Sequence, residues 1–284
     1  MQSERALIRD PVAIWLGRIR LTMTRGTTFM LLMLAATGVA ATPLIIAGTG
    51  ASQDMMRELA VIFERSNADC LTEVPKSVGS RGGIRTLLAG KASLARVSRP
   101  LKEKNRAKGL RYHAFAETQV VFATHPDLSG VDKLTRAQVI DIYTGRIANW
   151  NQLGGPDHAI FPLMRDGGTT LRTVLKHVDD FPQNPPAAKL TYSSLDTKAL
   201  MLVHPYTIGF LPATLLTGTP LLTIEINEVS PSNGSGAGSG FKMPLPLGLV
   251  YKDPLEGCAA RFMAFLKSDD ARQAIRRNNA VPLD

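Results

Sequence analysis

The run Arg165-Asp-Gly-Gly-Thr-Thr-Leu-Arg172 gathers the groups that hold an anion. Arg165 offers a planar fork of N–H donors matched to a tetrahedral oxyanion. Gly167 and Gly168 let the backbone turn sharply with nothing bulky over its N–H groups. Thr169 and Thr170 add hydroxyls where the spacing predicts a helix N-terminus, and there unpaired donors and the positive dipole end favour negative charge. The same residues also fit an ordinary capped helix beside a surface arginine. The rest of the chain must separate the two readings.

The elements around this run supply its position. Ile160-Phe-Pro-Leu-Met164 is an apolar strand. Leu171, Val174, Leu175 and Val178 repeat at i, i+3, i+4, i+7, the period of one buried helix face. Three earlier stretches show the same order of strand, small polar turn and helix. Leu44-Ile-Ile-Ala47 leads through Gly48-Thr-Gly-Ala-Ser52 to a helix with Met55, Met56, Leu59, Ile62 and Phe63 on one face. A strand near Leu71 to Val74 leads to Ser77-Val-Gly-Ser-Arg-Gly-Gly83 and a helix carrying Ile84, Leu87 and Leu88. Leu94-Ala-Arg-Val97 leads to Ser98-Arg-Pro100, with Pro100 expected as the first residue of a helix. Turns at the carboxyl ends of strands in α/β folds converge on one crevice, so four such turns predict a shared anion site. Arg99 is either a second cation at that site or a surface charge.

Several chemistries are excluded. Gln53 stands where a dinucleotide fingerprint needs its third glycine, and no Gly-Lys-Ser/Thr ending follows the second turn. The five histidines lack metal-ligand spacing. There is no Gly-x-Ser-x-Gly elbow. A nucleophilic role for Ser80 or Thr169 would need a positioned base, and none is suggested by spacing. No catalytic residue, cofactor or metal is therefore expected.

Thr27 to Val39 is apolar but short for a bilayer span, Arg25 precedes it, and Val39-Ala-Ala41 follows. This predicts a secretory signal peptide over residues 1–41, cleaved near Ala41, with a retained anchor as the alternative. Met23 is an alternative start. The 284-residue chain carries a net charge of +9. Residues 1–41 hold five Arg, Glu4 and Asp10, so the remainder carries +6. Those charges are scattered without interleaved aromatics, which supports an anionic ligand and not nucleic acid. Cys70 and Cys258 could pair in an oxidising compartment, but sequence cannot place them together, and two separate buried thiols are expected. Ser230 to Gly240 is expected to be a flexible glycine–serine loop. Trp150 is expected to be a packing anchor under its loop.

GTGAS, SVGSRGGI, ARVSRPL, DIYTGRIANWNQLGG and RDGGTTLR occur in the order found in the phosphate-binding proteins of bacterial phosphate ABC transporters. The resemblance runs from about Leu44 to the C-terminus, where ARFMAFLKSDDARQAIRRNNAVPL resembles the family's closing helix. It implies an α/β, two-domain, type II periplasmic binding protein, each domain a mixed sheet flanked by helices, with the ligand in the interdomain cleft. It places domain one at 42–117 plus 246–284 and domain two at 118–245. By the same resemblance, phosphate contacts fall on Ser52, Gln53, Ser80, Ser98, Arg165, Gly168, Thr169 and Thr170, with Arg99 as an addition. It implies inorganic phosphate as ligand, an inner-membrane ABC permease as partner, a monomer, and a periplasmic or secreted location. The alternative is an oxyanion sensor, or a binder of sulfate or molybdate. Two departures bear on this. Ser98 stands where well-known members carry an aspartate, which puts rejection of sulfate in question. The arginine turn is one residue shorter than the common Gly-Ser-Gly-Thr form, so Gly168 and Thr169 can exchange roles.

Overall fold

The computed structural model describes residues 42–227 and 241–284. The expected leader, the alternative start at Met23 and the Ser230–Gly240 loop lie outside the described residues. The chain opens with β1 (Leu44–Gly48), a 3₁₀ turn (Gly50–Ser52) and α1 (Gln53–Ser66). Then come β2 (Thr72–Glu73), α2 (Gly79–Leu88), β3 (Leu94–Val97) and α3 (Glu103–Arg106). The long β4 (Leu110–Thr124) is followed by β5 (Lys133–Thr135) and α4 (Arg136–Thr144). β6 (Phe161–Arg165), α5 (Gly168–His177), β7 (Lys189–Thr191), α6 (Ser194–Val203), β8 (Thr207–Pro212) and β9 (Leu222–Asn227) come next. β10 (Pro244–Lys252), α7 (Gly257–Phe265), α8 (Asp269–Arg277) and β11 (Ala280–Pro282) close the chain.

The strands run β2-β1-β3-β10-β4-β8-β6-β7 across one mixed, helix-flanked sheet. β2, β1 and β3 are parallel, and so are β8, β6 and β7. Between these parallel groups, β10 and β4 pair antiparallel. β4 is too long for one neighbour. Its first part, Leu110 to Gln119, lies on β10, and Val120 to Thr124 lies on β8.

The fourth turn is held from behind by the segment that contains Trp150. A Thr135–Gln138 capping box starts α4, and left-handed Gly145 ends it. From α4, Tyr143 is fully buried and its hydroxyl donates to the Leu163 carbonyl of β6 at 2.9 Å. Burial pushes the Tyr143 phenol well above its ordinary range. Tyr143 packs with Phe122, Phe181 and Phe210. Trp150 is fully buried, as its anchoring role requires, and its Nε1 donates to the Tyr206 carbonyl, which also accepts from the Phe161 backbone. The strand ending at Arg165 is thus held at its middle by Tyr143 and, through Tyr206, at its start by Trp150.

Four expectations need correction. Cys70 and Cys258 form a disulfide, with Cα atoms 5.6 Å apart. The fold brings the loop before β2 against α7, where Arg261 also reaches the Asp69 carboxylate. That adjacency of residues 188 positions apart has no local sequence signal. Pro100 does not begin a helix; the chain bends at Ser98 and Arg99 and becomes helical only at the short α3. Gly79 to Gly83 are not a turn but the first residues of α2. The closing helix is two helices, because Ser268 caps a new start by accepting from the Ala271 backbone.

Candidate functional site

The first three turns are locked together by close backbone approach. The Val78 N–H donates to the Gly48 carbonyl, and Thr49 N–H donates to the Arg96 carbonyl. A Cβ on Gly48, where φ is +147°, would sit 2.1 Å from the Arg96 oxygen. A Cβ on Gly83 would sit 2.6 Å from the Gly48 Cα. Gly48 is therefore required for β3 to lie this close to the end of β1, and Gly83 for α2 to do so. From α2, the Ser80 hydroxyl lies 3.4 Å from the Ser98 hydroxyl and accepts from the Ser98 backbone at 3.1 Å. The second and third turns thus present their hydroxyls side by side.

Arg165, at the end of β6, faces these turns across a cavity of about 820 Å³. Ser80, Ser98, Arg99, Arg165, Gly168 and Thr169 all line it. The side chain of Arg165 is half-buried and has no hydrogen-bond or ion-pair partner among the described residues; its Nε is fully shielded. Burial, and then Arg172, press its pKa below the ordinary arginine value, against a weaker pull from Asp196. The guanidinium lies over the Cα of Gly168. A Cβ there would fall 2.5 Å from the Arg165 Cζ, and φ is +80°. The glycine in this shortened turn is what gives the arginine its place. Arg99 is half-buried, and its pKa is lowered by burial and by Arg172 and Arg81.

Three of the expected residues are placed differently. Ser52 and Gln53 are buried at the 3₁₀ turn and the start of α1, off the cavity wall, and Ser52 Oγ and Gln53 Oε1 have no hydrogen-bond partner among the described residues. Thr170 is also buried, with its hydroxyl 3.3 Å from that of Ser194. Other residues reach the site without having been singled out. Thr49 lines the main cavity and a smaller neighbouring one of about 200 Å³, and Tyr192, Ser193 and Ser194 line the smaller one. Ser193 caps α6 through the Asp196 N–H. Thr191-Tyr-Ser-Ser194 repeats the grammar of strand, small polar turn and helix. Its strand is only three residues long, which explains why periodicity does not reveal it.

Among the described residues the walls carry no carboxylate and no histidine, and they offer hydrogen-bond donors and positive charge. Among the described residues, the His, Cys, Asp and Glu group close enough to hold a metal is Asp69, Cys70 and Cys258, and both sulfurs belong to the disulfide.

Comparison with known proteins bears on this geometry. The phosphate-binding protein PstS of Bacillus subtilis is 29% identical over 236 residues, 82% of this chain and 77% of the relative. A Clostridium perfringens protein described as a phosphate ABC transporter substrate-binding protein, solved with bound phosphate, superposes with a TM-score of 0.70 at 24% identity. It covers 86% of this chain and all of its own. An ABC-type phosphate transport receptor from Vibrio cholerae gives a TM-score of 0.58 at 24% identity, over 84% of this chain and 99% of its own. These structures share the fold of this chain. The family model of the PBP superfamily domain matches residues 35–270, so this chain belongs to the PBP superfamily.

Proposed function

We propose that this chain is a secreted or periplasmic binding protein that captures inorganic phosphate in its cleft and delivers it to an ABC permease. One observation carries the reading. Arg165 is a half-buried cation with no partner among the described residues, set opposite the paired hydroxyls of Ser80 and Ser98. An unpaired guanidinium in a low-dielectric wall is costly unless an anion completes it. The Bacillus subtilis relative and the two phosphate-transport structures point to phosphate as that anion. In this reading phosphate rests on Arg165, Gly168, Thr169, Ser80 and Ser98. The backbone around Ser52, Gln53 and Thr170 approaches it when the cleft shuts.

Closure would come from two lobes, 42–117 plus 246–284 and 118–245, turning about crossings near Thr118 and Leu245. Those two residues are register partners of β4 and β10, so both crossings lie side by side and can bend as one hinge. The Thr118 hydroxyl also donates to the Asn279 carbonyl, which ties the closing segment to the same place. The protein would act as a binder and not a catalyst: among the described residues, no carboxylate or histidine lines the cavity to serve as a base for Ser80 or Thr169. Among the described residues no helix is long and apolar enough to cross a membrane.

The test is calorimetry of the mature protein with phosphate, arsenate, sulfate and molybdate. Phosphate and arsenate should bind one to one at about micromolar affinity or tighter, roughly −8 kcal/mol. Because Ser98 can both donate and accept, sulfate is expected to bind measurably as well. Absence of heat with every oxyanion would overturn the proposal. Turnover of a phosphate monoester would replace it with an enzyme.

A further inference from the structure

The cavity is much larger than a single tetrahedral ion needs. Its volume of about 820 Å³ falls near the top of the roughly 300–1,000 Å³ range that holds drug-sized ligands. Away from Arg165 it continues along a shelf made by α2 and the segment around α3. Arg81, Arg85, Lys102, Lys104 and Lys108 line that shelf, all solvent-exposed. None of the five has an acidic partner within ion-pair distance among the described residues. Several arginines elsewhere do have acidic partners: Arg57 with Asp54, Arg111 with Asp253, Arg146 with Asp141, Arg261 with Asp69, Arg272 with Asp284 and Arg277 with Glu58.

Arg81 and Arg85 stand four apart on α2, an arrangement in which like charges oppose the helix. The shelf thus concentrates positive charge at a cost to the free protein. The cavity wall contains no aromatic side chain, so it has no surface on which a nucleobase could stack. All five cations sit on the same wall as Ser80 and Ser98, and none depends on the opposite wall for its position.

We propose that the cleft accepts condensed phosphates, such as pyrophosphate and tripolyphosphate, as well as orthophosphate. The terminal phosphoryl group takes the place beside Arg165, Ser80 and Ser98. The next phosphoryl groups lie along the shelf against Arg85, Lys102 and Lys108. This rests on the phosphate reading of the Arg165 site and extends it to a ligand class.

Calorimetry of the mature protein with orthophosphate, pyrophosphate and tripolyphosphate at low and moderate salt tests it. The condensed phosphates should bind at least about 10-fold tighter than orthophosphate at low salt, with the steeper salt dependence of a multiply charged ligand. The double variant Arg85→Ala/Lys108→Ala should lower tripolyphosphate affinity at least about 10-fold and leave orthophosphate within about twofold. Orthophosphate binding with no tighter binding of condensed phosphates would overturn this inference and leave the phosphate reading standing. An equal loss for both ligands in the double variant would overturn it too, since the shelf would then act as a general attractor of anions. Tight pyrophosphate binding without orthophosphate binding would overturn the reading of inorganic phosphate capture, and with it the inference that one cleft takes both ligand classes. Absence of binding by all three would overturn both.

Discussion

Replacing Arg165 by alanine separates a binding arginine from a structural one. In the free protein this side chain makes no hydrogen bond or ion pair among the described residues, and its charge is opposed by burial and by Arg172. Its removal therefore costs the fold little. The expected change is within about 0.5 kcal/mol, or about 2 °C in Tm for a chain of this size. The bound state is different. A guanidinium fork on an oxyanion makes two charge-assisted hydrogen bonds, each contributing about 1.5–3 kcal/mol. The loss is then about 3–6 kcal/mol, or roughly two to four decades in Kd at about 1.4 kcal/mol per decade. The assay is phosphate titration calorimetry of Arg165→Ala, with a thermal melt of the ligand-free variant alongside. Phosphate affinity within about threefold of the parent would refute the placement of the site. A ligand-free Tm lower by many degrees would show that Arg165 holds the fold, and the lost affinity would then say nothing about contact with the ion.

Other perturbations test the parts around it. Gly168→Ala puts a Cβ 2.5 Å from the Arg165 Cζ at a φ of +80°. Left-handed strain of about 1–2 kcal/mol should appear in the melt, and calorimetry should show phosphate affinity at least about 10-fold weaker; parent-like affinity would mean that this packing does not position the arginine. The Cys70–Cys258 disulfide closes a loop of 188 residues, so the double serine variant should lose about 2–5 kcal/mol in denaturant unfolding. Equal midpoints with and without reductant would contradict that. His113, with its pKa held below 6.5 by burial and Lys267, binds its proton less readily folded than unfolded. Stability should therefore be flat above about pH 6.5 and fall as pH drops below it. His113→Gln should flatten that slope in pH-dependent melts, and an unchanged slope would assign it elsewhere.

Much of this was legible in sequence because it is local. The 3.6-residue period of α1 and α5 and the apolar runs of β1 and β3 depend on near neighbours, and each stands where its pattern predicts. Features that depend on distant pairing were not. The disulfide needs α7 beside the loop before β2. β7 is three residues long and takes its strand identity from pairing with β6. Nothing in the sequence marks Arg96 as buried, yet it lies fully buried on β3 with a bond to the Pro75 carbonyl, and burial holds its pKa down at about 10. At the site, the glycine-rich turns announce donors, but they do not say which hydroxyls the cavity receives. Ser80 and Ser98 reach it, whereas Thr170 is turned toward Ser194 by the packing of α5 against α6. The shelf from Arg81 to Lys108 is invisible as a motif, because its charges converge only when α2 and α3 fold onto one side.

The central claim is that one oxyanion sits between Arg165 and the Ser80–Ser98 pair. Arsenate is a close mimic of phosphate with an anomalous X-ray signal, so crystals grown with arsenate test the claim most directly. A single strong anomalous peak within hydrogen-bond distance of the Arg165 guanidinium and the Ser80 hydroxyl is the predicted result. A peak elsewhere on the molecule, with the Arg165 cleft empty, would contradict it.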